Sequence, residues 1–234
     1  MNNSNPDKKS HYESIKKYFI KSAADKKEYY KSKDINEIKK DFKKRSDWSN
    51  YTSALDEILK IDRQIFSVID IGCGMGNFTL ELVYRNQFKK IVGIDFLKET
   101  LDIAREDKQD FVCVDFIQAN LLNLPFKNRN FDLTVCLNVL HHVHQQDFSL
   151  AIDELTRITN KYLMIEIRNK NNFLEFFYQK ILLPKLYKDL PQFTNSITQV
   201  NNLMKKNGFE FNKIKGRIPI SWACRHIVLV YKRT

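Results

Sequence analysis

The sequence predicts an α/β fold: a doubly wound, mostly parallel seven-stranded sheet with an antiparallel pair of strands at one edge and an N-terminal helical cap. Three observations support this fold. From about residue 61, short apolar segments alternate with segments of helical periodicity, as in parallel sheets whose strands are joined by helices. The last two apolar segments, about 209–216 and 226–232, are joined by a short return, which implies antiparallel pairing. Lys-rich helical segments precede the first strand.

The elements follow one another at the spacing of this fold. We expect strands at 66–71, 90–95, within 111–119, 131–137 and 162–168, each of the first four followed by a helix or a connection. Ser196 and Gln199 form a capping-box pattern that opens a helix over 197–206, and Asn207-Gly208 ends it. These elements divide the chain into a disordered tail (1–10), a helical cap (11–60) and a sheet domain (61–234). An aromatic insert at about 171–190 is expected to form a lid.

Composition excludes several classes of protein. The 234 residues suit one domain, and 43% hydrophobic with 12% aromatic residues argues against disorder. No apolar run approaches the roughly 20 residues of a membrane span, and the first residues show no apolar signal-peptide segment. The four cysteines have no metal-type spacing, so no metal is expected. Together these features predict a cytoplasmic globular protein.

The net charge of +11 is concentrated at both ends of the chain. Residues 1–50 hold 14 Lys/Arg against 8 Asp/Glu, and residues 201–234 hold 8 against 1. A positive rim of this kind attracts an acidic substrate, a phosphate or RNA. The alternative is that the positive charge reflects the overall amino-acid composition and has no binding role. Lys outnumbers Arg 29 to 10, whereas surfaces that bind phosphate favour Arg.

The strongest functional signal is the Gly-rich loop Asp70-Ile-Gly-Cys-Gly-Met-Gly76, placed between a strand and a helix. Glycines there allow a sharp turn and a close approach of a ligand to the backbone. The dinucleotide pattern requires a glycine at position 77, which is Asn77 here. Asp70 would also repel a pyrophosphate but could hold a cationic ligand. A nicotinamide dehydrogenase is therefore disfavoured.

Asp95 closes the second strand, where a carboxylate can accept hydrogen bonds from both hydroxyls of a ribose. Further polar residues follow the third and fourth strands, in Gln118-Ala-Asn-Leu-Leu-Asn-Leu-Pro-Phe126 and Leu137-Asn-Val-Leu-His-His-Val143. The carboxyl ends of parallel strands form the ligand site of open α/β sheets. These positions predict a nucleoside site without a pyrophosphate.

These four motifs together resemble the class I S-adenosylmethionine-dependent methyltransferases, in particular the group that includes the quinone-biosynthesis enzymes. The resemblance covers about residues 50–232 and implies a Rossmann-like methyltransferase fold with S-adenosylmethionine as cofactor. It implies that the backbone of Gly72, Cys73 and Gly74 lies against the methionine part of the cofactor, with Asp70 orienting the loop. Asp95 would take the ribose hydroxyls.

The same resemblance implies roles for the later motifs. Phe96 would lie against the adenine, and Asn120 would stand where the family usually has an Asp that receives the adenine amino group. Leu121 would offer its backbone to the adenine, and Asn138 would line the methionine side. The family's usual Gly-containing turn before the fifth strand is replaced by 157–161, which lies away from the cofactor.

The predicted function is methyl transfer to a small metabolite, at an oxygen of an amphipathic or acidic acceptor. A hydroxyl acceptor needs a general base, and His142, in a cluster with His141 and His144, is our candidate. The insert at 173–187 could also contact a membrane surface. Two alternatives stay open: a tRNA methyltransferase of the wobble-uridine type, and a non-catalytic subunit that binds the cofactor.

Overall fold

A seven-stranded sheet runs through the part of the chain that the computed structural model describes, residues 6–31, 48–85, 87–107, 113–172, 192–216 and 224–234. The strands are β1 (Ser67–Ile71), β2 (Lys90–Asp95), β3 (Val114–Gln118), β4 (Phe131–Cys136), β5 (Thr159–Arg168), β6 (Phe209–Gly216) and β7 (His226–Arg233). The helices are α1 (Pro6–Lys31), α2 (Trp48–Ile61), α3 (Asn77–Tyr84), α4 (Lys98–Asp107), α5 (Phe148–Ile158) and α6 (Ile197–Lys206). Two short 3-10 turns, Leu140–His142 and Gln145–Asp147, lie between β4 and α5.

The strand order is β3-β2-β1-β4-β5-β7-β6. Strands β1 to β5 pair in parallel, whereas β7 runs antiparallel to both β5 and β6. The predicted α/β fold with an antiparallel edge pair is confirmed. The chain leaves β1 toward β2 on one side and returns to β4 on the other, so the carboxyl ends of β1 and β4 diverge at a switch point. A crevice forms there in sheets of this type.

Both faces of the sheet are covered, which explains why its strands are almost continuously apolar. On β5 the alternation of side chains sends Leu163, Ile165 and Ile167 into the cluster under α5 and α6. Tyr162 and Met164 of the same strand point to the opposite cluster, which packs under α2, α3 and α4. The sheet is thereby a rigid support for the loops at its carboxyl edge.

The N-terminal segment differs from the prediction. Residues 6–10, assigned to a disordered tail, are the first turns of α1. Proline suits the first position of a helix, where its missing N–H has no partner to lose. Contacts across 139 residues of sequence also hold this end, because Lys8 Nζ lies 2.5 Å from Asp147 Oδ1. Such long-range contacts leave no local pattern.

Residues 157–161, which replace the family's Gly-containing turn, form no separate loop, because α5 ends at Ile158 and β5 begins at Thr159. The Ser196 hydroxyl accepts the N–H of Gln199 at 3.1 Å, as the capping pattern predicts. The predicted lid over 171–190 falls mostly outside the described residues, as does the middle of the predicted helical cap, residues 32–47. None of the described helices is long and apolar enough to cross a membrane.

Candidate cofactor and acceptor site

A cavity of about 420 Å³ opens at the carboxyl edge of the sheet, between the ends of β1, β2 and β4. Its floor contains the Gly-rich loop, and its walls come from α1, α2 and the turn after β4. Eight of the residues predicted for the site line it together: Asp70, Gly72, Cys73, Gly74, Asp95, Phe96, Asn138 and His142. The predicted site residues therefore come from three connections of the chain, those that follow β1, β2 and β4.

The loop after β1 needs glycine for two different reasons. Gly72 has φ +70°, and a Cβ there would lie 2.2 Å from a side-chain carbon of Val139. Gly74 has φ +56°, and a Cβ there would meet no atom within 4 Å. The first glycine is thus required by packing against the β4 turn, whereas the second leaves open space above the backbone. That open space is what a ligand lying on the loop requires.

Asp95 is fixed by two backbone donors. Its Oδ2 accepts the N–H of Gly74 at 2.9 Å, and its Oδ1 accepts the N–H of Leu97 at 2.9 Å. The side chain is 8% exposed, and burial raises the pKa of its carboxyl group despite these bonds. A buried carboxylate with acceptor capacity left on both oxygens suits a pair of ligand hydroxyls.

Asp70 lies beneath the loop and joins β1 to α3. Its Oδ2 accepts the hydroxyl of Thr79 at 2.7 Å. Burial raises the pKa of Asp70 to about 7, and the neighbouring Asp95 carboxylate adds to the increase. Two buried carboxyl groups of this kind favour a cationic ligand, which would stabilise their charged forms. S-adenosylmethionine carries positive charges, and the two carboxylates and the open backbone of the loop fit this cofactor.

Asn138 anchors a buried polar network at the end of β4. It has φ +58°, in the left-handed region that asparagine tolerates better than most residues. Its Nδ2 donates to the Tyr51 hydroxyl at 2.8 Å, and its backbone N–H donates to Glu166 Oε2 at 3.2 Å. The Tyr51 hydroxyl itself donates to Glu166 Oε2. The fully buried Glu166 also contacts His226, with its Oε1 2.6 Å from Nδ1 of the ring.

The predicted histidine cluster is divided by the structure. His141 and His142 line the cavity, and their ring centroids are 4.0 Å apart. His144 does not line it: its ring packs against His11 and Phe193 and its Nε2 lies 3.4 Å from Asp7. Three histidines that are close together in the sequence therefore belong to two different regions of the structure.

Helix α1 covers the cavity and is held at its N-terminal end. The hydroxyl of Tyr12 donates to Asp147 Oδ2 at 2.9 Å, and His11 Nε2 lies 2.7 Å from the carbonyl oxygen of His142. Farther along the helix, Ala23 packs with Met75 of the loop. Cavity-lining residues supplied by this helix are Ile15, Tyr18, Phe19, Ser22 and Ala23.

Two predicted residues lie apart from this cavity. Asn120 and Leu121 are absent from its lining. Asn120 is exposed, and its Oδ1 accepts the N–H of Leu122 at 2.9 Å, so the side chain stabilises its own turn. Their adenine contacts stay predictions.

Sequence reasoning missed Tyr51, Thr79, Glu166 and His226. The partners of Tyr51, Glu166 and His226 lie far away in the chain. Thr79, in contrast, lies in the first turn of the helix that follows the loop, and its partner Asp70 is close in sequence.

Comparison with known proteins identifies the domain. The family model described as a methyltransferase domain matches residues 68–161, which span β1 through the start of β5. The chain carries a class I S-adenosylmethionine-dependent methyltransferase domain. The predicted family, fold and cofactor are confirmed at this level.

The relatives of this methyltransferase domain include enzymes of quinone metabolism. A demethylmenaquinone methyltransferase of Oceanobacillus iheyensis is 27% identical over 132 residues, covering 52% of this chain and 55% of that protein. An uncharacterised protein of Methanocaldococcus jannaschii is 31% identical over 116 residues, covering 49% and 46%. The chain thus spans about half the length of these relatives.

Among solved structures, the methyltransferase domain is similar to magnesium protoporphyrin IX methyltransferase from Synechocystis, crystallised with bound S-adenosylhomocysteine. The TM-score is 0.70 at 18% identity, with 94% of this chain and 98% of that chain covered. This likeness shows that the fold is shared.

Proposed function

We propose that the protein transfers the methyl group of S-adenosylmethionine to an oxygen of a small amphipathic or acidic metabolite. One observation carries the proposal: the cavity that contains the loop and Asp95 is also lined by aromatic side chains and by a buried cation. Phe19 and Trp48 are among the aromatic residues, and Arg168, 7% exposed, is the cation. The loop and the carboxylates suit the cofactor, whereas the aromatic rings and Arg168 suit a flat acceptor with an acidic group.

The chain's own residues would bind and orient the two partners. When bound, S-adenosylmethionine supplies an electrophilic methyl group, so alignment of a nucleophile is the main requirement. Asp95 would hold the ribose hydroxyls, and the backbone at Gly74 would lie under the methionine part. Asn138, fixed by Tyr51 and Glu166, would line the end where the acceptor enters. Helix α1 would exclude water from the reacting atoms.

The names of the relatives favour the same class of acceptor. Demethylmenaquinone methyltransferases and magnesium protoporphyrin IX methyltransferase are named for flat ring systems. An aromatic wall such as that formed by α1 packs well against rings of this kind. The four cysteines are free thiols, which fits the cytoplasmic location that we propose.

The test is label partitioning. The protein and methyl-tritiated S-adenosylmethionine are added to a cell extract, which is then separated into RNA, protein, lipid and small-molecule pools. The Asp95→Ala variant serves as the control. We expect label in the small-molecule or lipid pool only with the wild type.

Other outcomes of that test would overturn the proposal. Label in RNA would establish the tRNA methyltransferase alternative and give the basic ends a role. Tight cofactor binding with no label in any pool would indicate the non-catalytic subunit.

A further inference from the structure

A second cavity, of about 310 Å³, lies at the amino edge of the sheet, at the opposite end of the strands from the cofactor site. It is bounded by the connection that leads into β4, by the last turns of α5 and by the ends of α6 and β7. Three arginines line it, Arg129, Arg157 and Arg233, together with one acidic residue, Asp153. A volume of this size is at the lower end of the range for small-ligand pockets.

Arg157 has a structural role in this cavity. Its Nε and Nη2 donate to the two carboxylate oxygens of Glu154 at 2.7 and 2.8 Å. Its Nη1 donates to the carbonyl oxygen of Phe126 at 2.6 Å, and its Nη2 also donates to that of Leu124 at 3.0 Å. The charge of Arg157 is therefore paired, and its hydrogen bonds tie the connection before β4 to α5. This wall of the cavity is fixed.

Arg233 is a cation held in place by neutral groups. Its Nε donates to the carbonyl oxygen of Thr159 at 3.1 Å, and its Nη2 donates to the carbonyl oxygens of Thr159 and Thr156. The guanidinium group also stacks on the ring of Phe209, 4.3 Å from the ring centroid. Among the described residues, Nη1 has no hydrogen-bond partner, and it is not one of the buried unpaired atoms, so it is open to solvent.

Arg129 is an exposed cation in a strained backbone conformation. Its φ of +53° lies in the left-handed region, which is unfavourable for a residue with a Cβ, and its N–H donates to the carbonyl oxygen of Arg157 at 2.8 Å. Burial is the largest cause that lowers the pKa of Arg233, and the charge of Arg129 lowers it further. Within the described part of the chain neither arginine has an ion-pair partner, since Asp153 accepts from Asn207 at 2.8 Å. Strain together with repulsion between like charges points to a functional site.

The surroundings of the cavity add to its positive charge. Lys127 precedes the lining residue Asn128, and Lys205 and Lys206 precede the lining residue Asn207. All three lysines are exposed. Their charges favour the approach of an anion to the cavity. Part of the basic C-terminal region, which the proposed methyl transfer does not use, therefore lies around this second cavity.

We propose that this second cavity binds a small phosphate compound, an organic phosphate or a pyrophosphate, whose oxygens accept hydrogen bonds from the guanidinium of Arg129 and from Nη1 of Arg233. Guanidinium groups match the geometry of phosphate oxygens. A phosphate group with two negative charges balances both cations, whereas a single carboxylate balances one. Binding would also remove the repulsion between the two arginines. This site is separate from the site of the proposed methyl transfer.

The experiment is calorimetry with inorganic pyrophosphate as the probe, at low salt, with and without S-adenosylhomocysteine. We expect Arg129→Gln to weaken binding about tenfold or more, because it removes a charged hydrogen-bond donor. Arg129→Lys should recover only part of the affinity, because an ammonium group lacks the guanidinium fork. Arg63→Gln is the matched control: Arg63 is an exposed arginine between α2 and β1, at the same edge of the sheet, and does not line the cavity. Its exchange should leave the affinity unchanged.

A second variant separates binding from stability. Arg129→Gly removes the guanidinium group together with the backbone strain, because glycine adopts a positive φ without steric cost. This variant should therefore lose pyrophosphate binding while its urea unfolding midpoint rises. Phosphorus NMR of pyrophosphate checks the loss independently: the wild type should broaden or shift the signal, and Arg129→Gly should not.

Several outcomes would overturn the inference. No binding of pyrophosphate by the wild type, or equal affinity in the wild type and the Arg129 variants, would exclude the second cavity as its site. Displacement of pyrophosphate by S-adenosylhomocysteine would place it in the cofactor cavity instead. If a single-stranded RNA oligonucleotide bound through Arg129 while pyrophosphate did not, the surface would bind a nucleic-acid backbone rather than a small phosphate. None of these readouts involves methyl transfer, so they do not depend on the proposed function.

Discussion

The backbone N–H of Gly74 donates a 2.9 Å hydrogen bond to Oδ2 of Asp95. This bond joins the loop after β1 to the end of β2, so the two elements expected to hold opposite ends of the cofactor are mechanically connected. Each therefore positions the other before any ligand arrives. Preorganisation of this kind reduces the entropic cost of binding.

The two loop glycines should respond differently to substitution. Gly74→Ala should cost about 1–2 kcal/mol of unfolding free energy, the cost of a left-handed residue with a Cβ. Gly72→Ala should cost about 2 kcal/mol more, because its Cβ would also overlap Val139. Urea unfolding measures both values. The double variant Gly72→Ala, Val139→Ala should recover part of the loss; equal costs for the two single variants would contradict the role of the Val139 contact.

Cofactor affinity should depend on pH through Asp70. Its pKa is raised to about 7, so the group is largely protonated at lower pH, and a cationic ligand favours the ionised form. Affinity for S-adenosylmethionine should therefore fall about tenfold from about pH 8 to about pH 6. Calorimetry at several pH values measures this change.

The Asp70→Asn variant is the control for that series, since it removes the titrating group but leaves the ionisation of the ligand itself. Its affinity should change much less over the same range. If both proteins gave the same pH dependence, the ligand rather than Asp70 would be its source.

The Tyr51 hydroxyl should support both stability and binding. Tyr51→Phe removes a donor to the buried Glu166 and an acceptor for Asn138, which should cost about 1–3 kcal/mol. It should also weaken binding of S-adenosylhomocysteine several-fold, because Asn138 loses its support. Tyr231→Phe removes a comparable bond, to Asn201 at 2.7 Å, outside the cavity. The Tyr231→Phe variant should lose stability without losing affinity. Equal losses of affinity in the two variants would show that lower stability alone weakens binding, whatever the site of the substitution.

Helix α1 should control how fast the cofactor leaves. Tyr12→Phe removes the 2.9 Å bond to Asp147 that holds the N-terminal end of the helix. We expect faster dissociation of S-adenosylhomocysteine, measured by stopped flow, and faster hydrogen exchange in α1. An unchanged dissociation rate with faster exchange would show that the ligand leaves by another route.

Sequence patterns predicted those parts of the fold that depend on interactions between neighbouring residues. The loop after β1 is a contiguous set of glycines beside an acid, and the start of α6 is a capping pattern of four residues. Asp95 was predictable because the end of a parallel strand falls at the ligand edge of the sheet. Each of these features needs only a few neighbouring residues.

Contacts between distant residues could not be predicted in this way. Glu166 is the fixed centre of the Asn138 network, yet its partners Tyr51 and His226 lie 115 and 60 residues away. The helical start at residue 6 depends in part on Asp147, and the direction of His144 depends on packing against α1. These relationships arise only when the tertiary structure forms.

Calorimetry of the wild type and Asp95→Ala with S-adenosylhomocysteine and with NADH tests the proposed cofactor site most directly. We expect the wild type to bind S-adenosylhomocysteine and to give no heat with NADH. Asp95→Ala should lose about 100-fold or more in affinity, because it removes the charged acceptor of the hydrogen bonds that the ribose hydroxyls donate, while thermal unfolding stays cooperative. Binding of NADH alone, or unchanged affinity in Asp95→Ala, would contradict the proposed site.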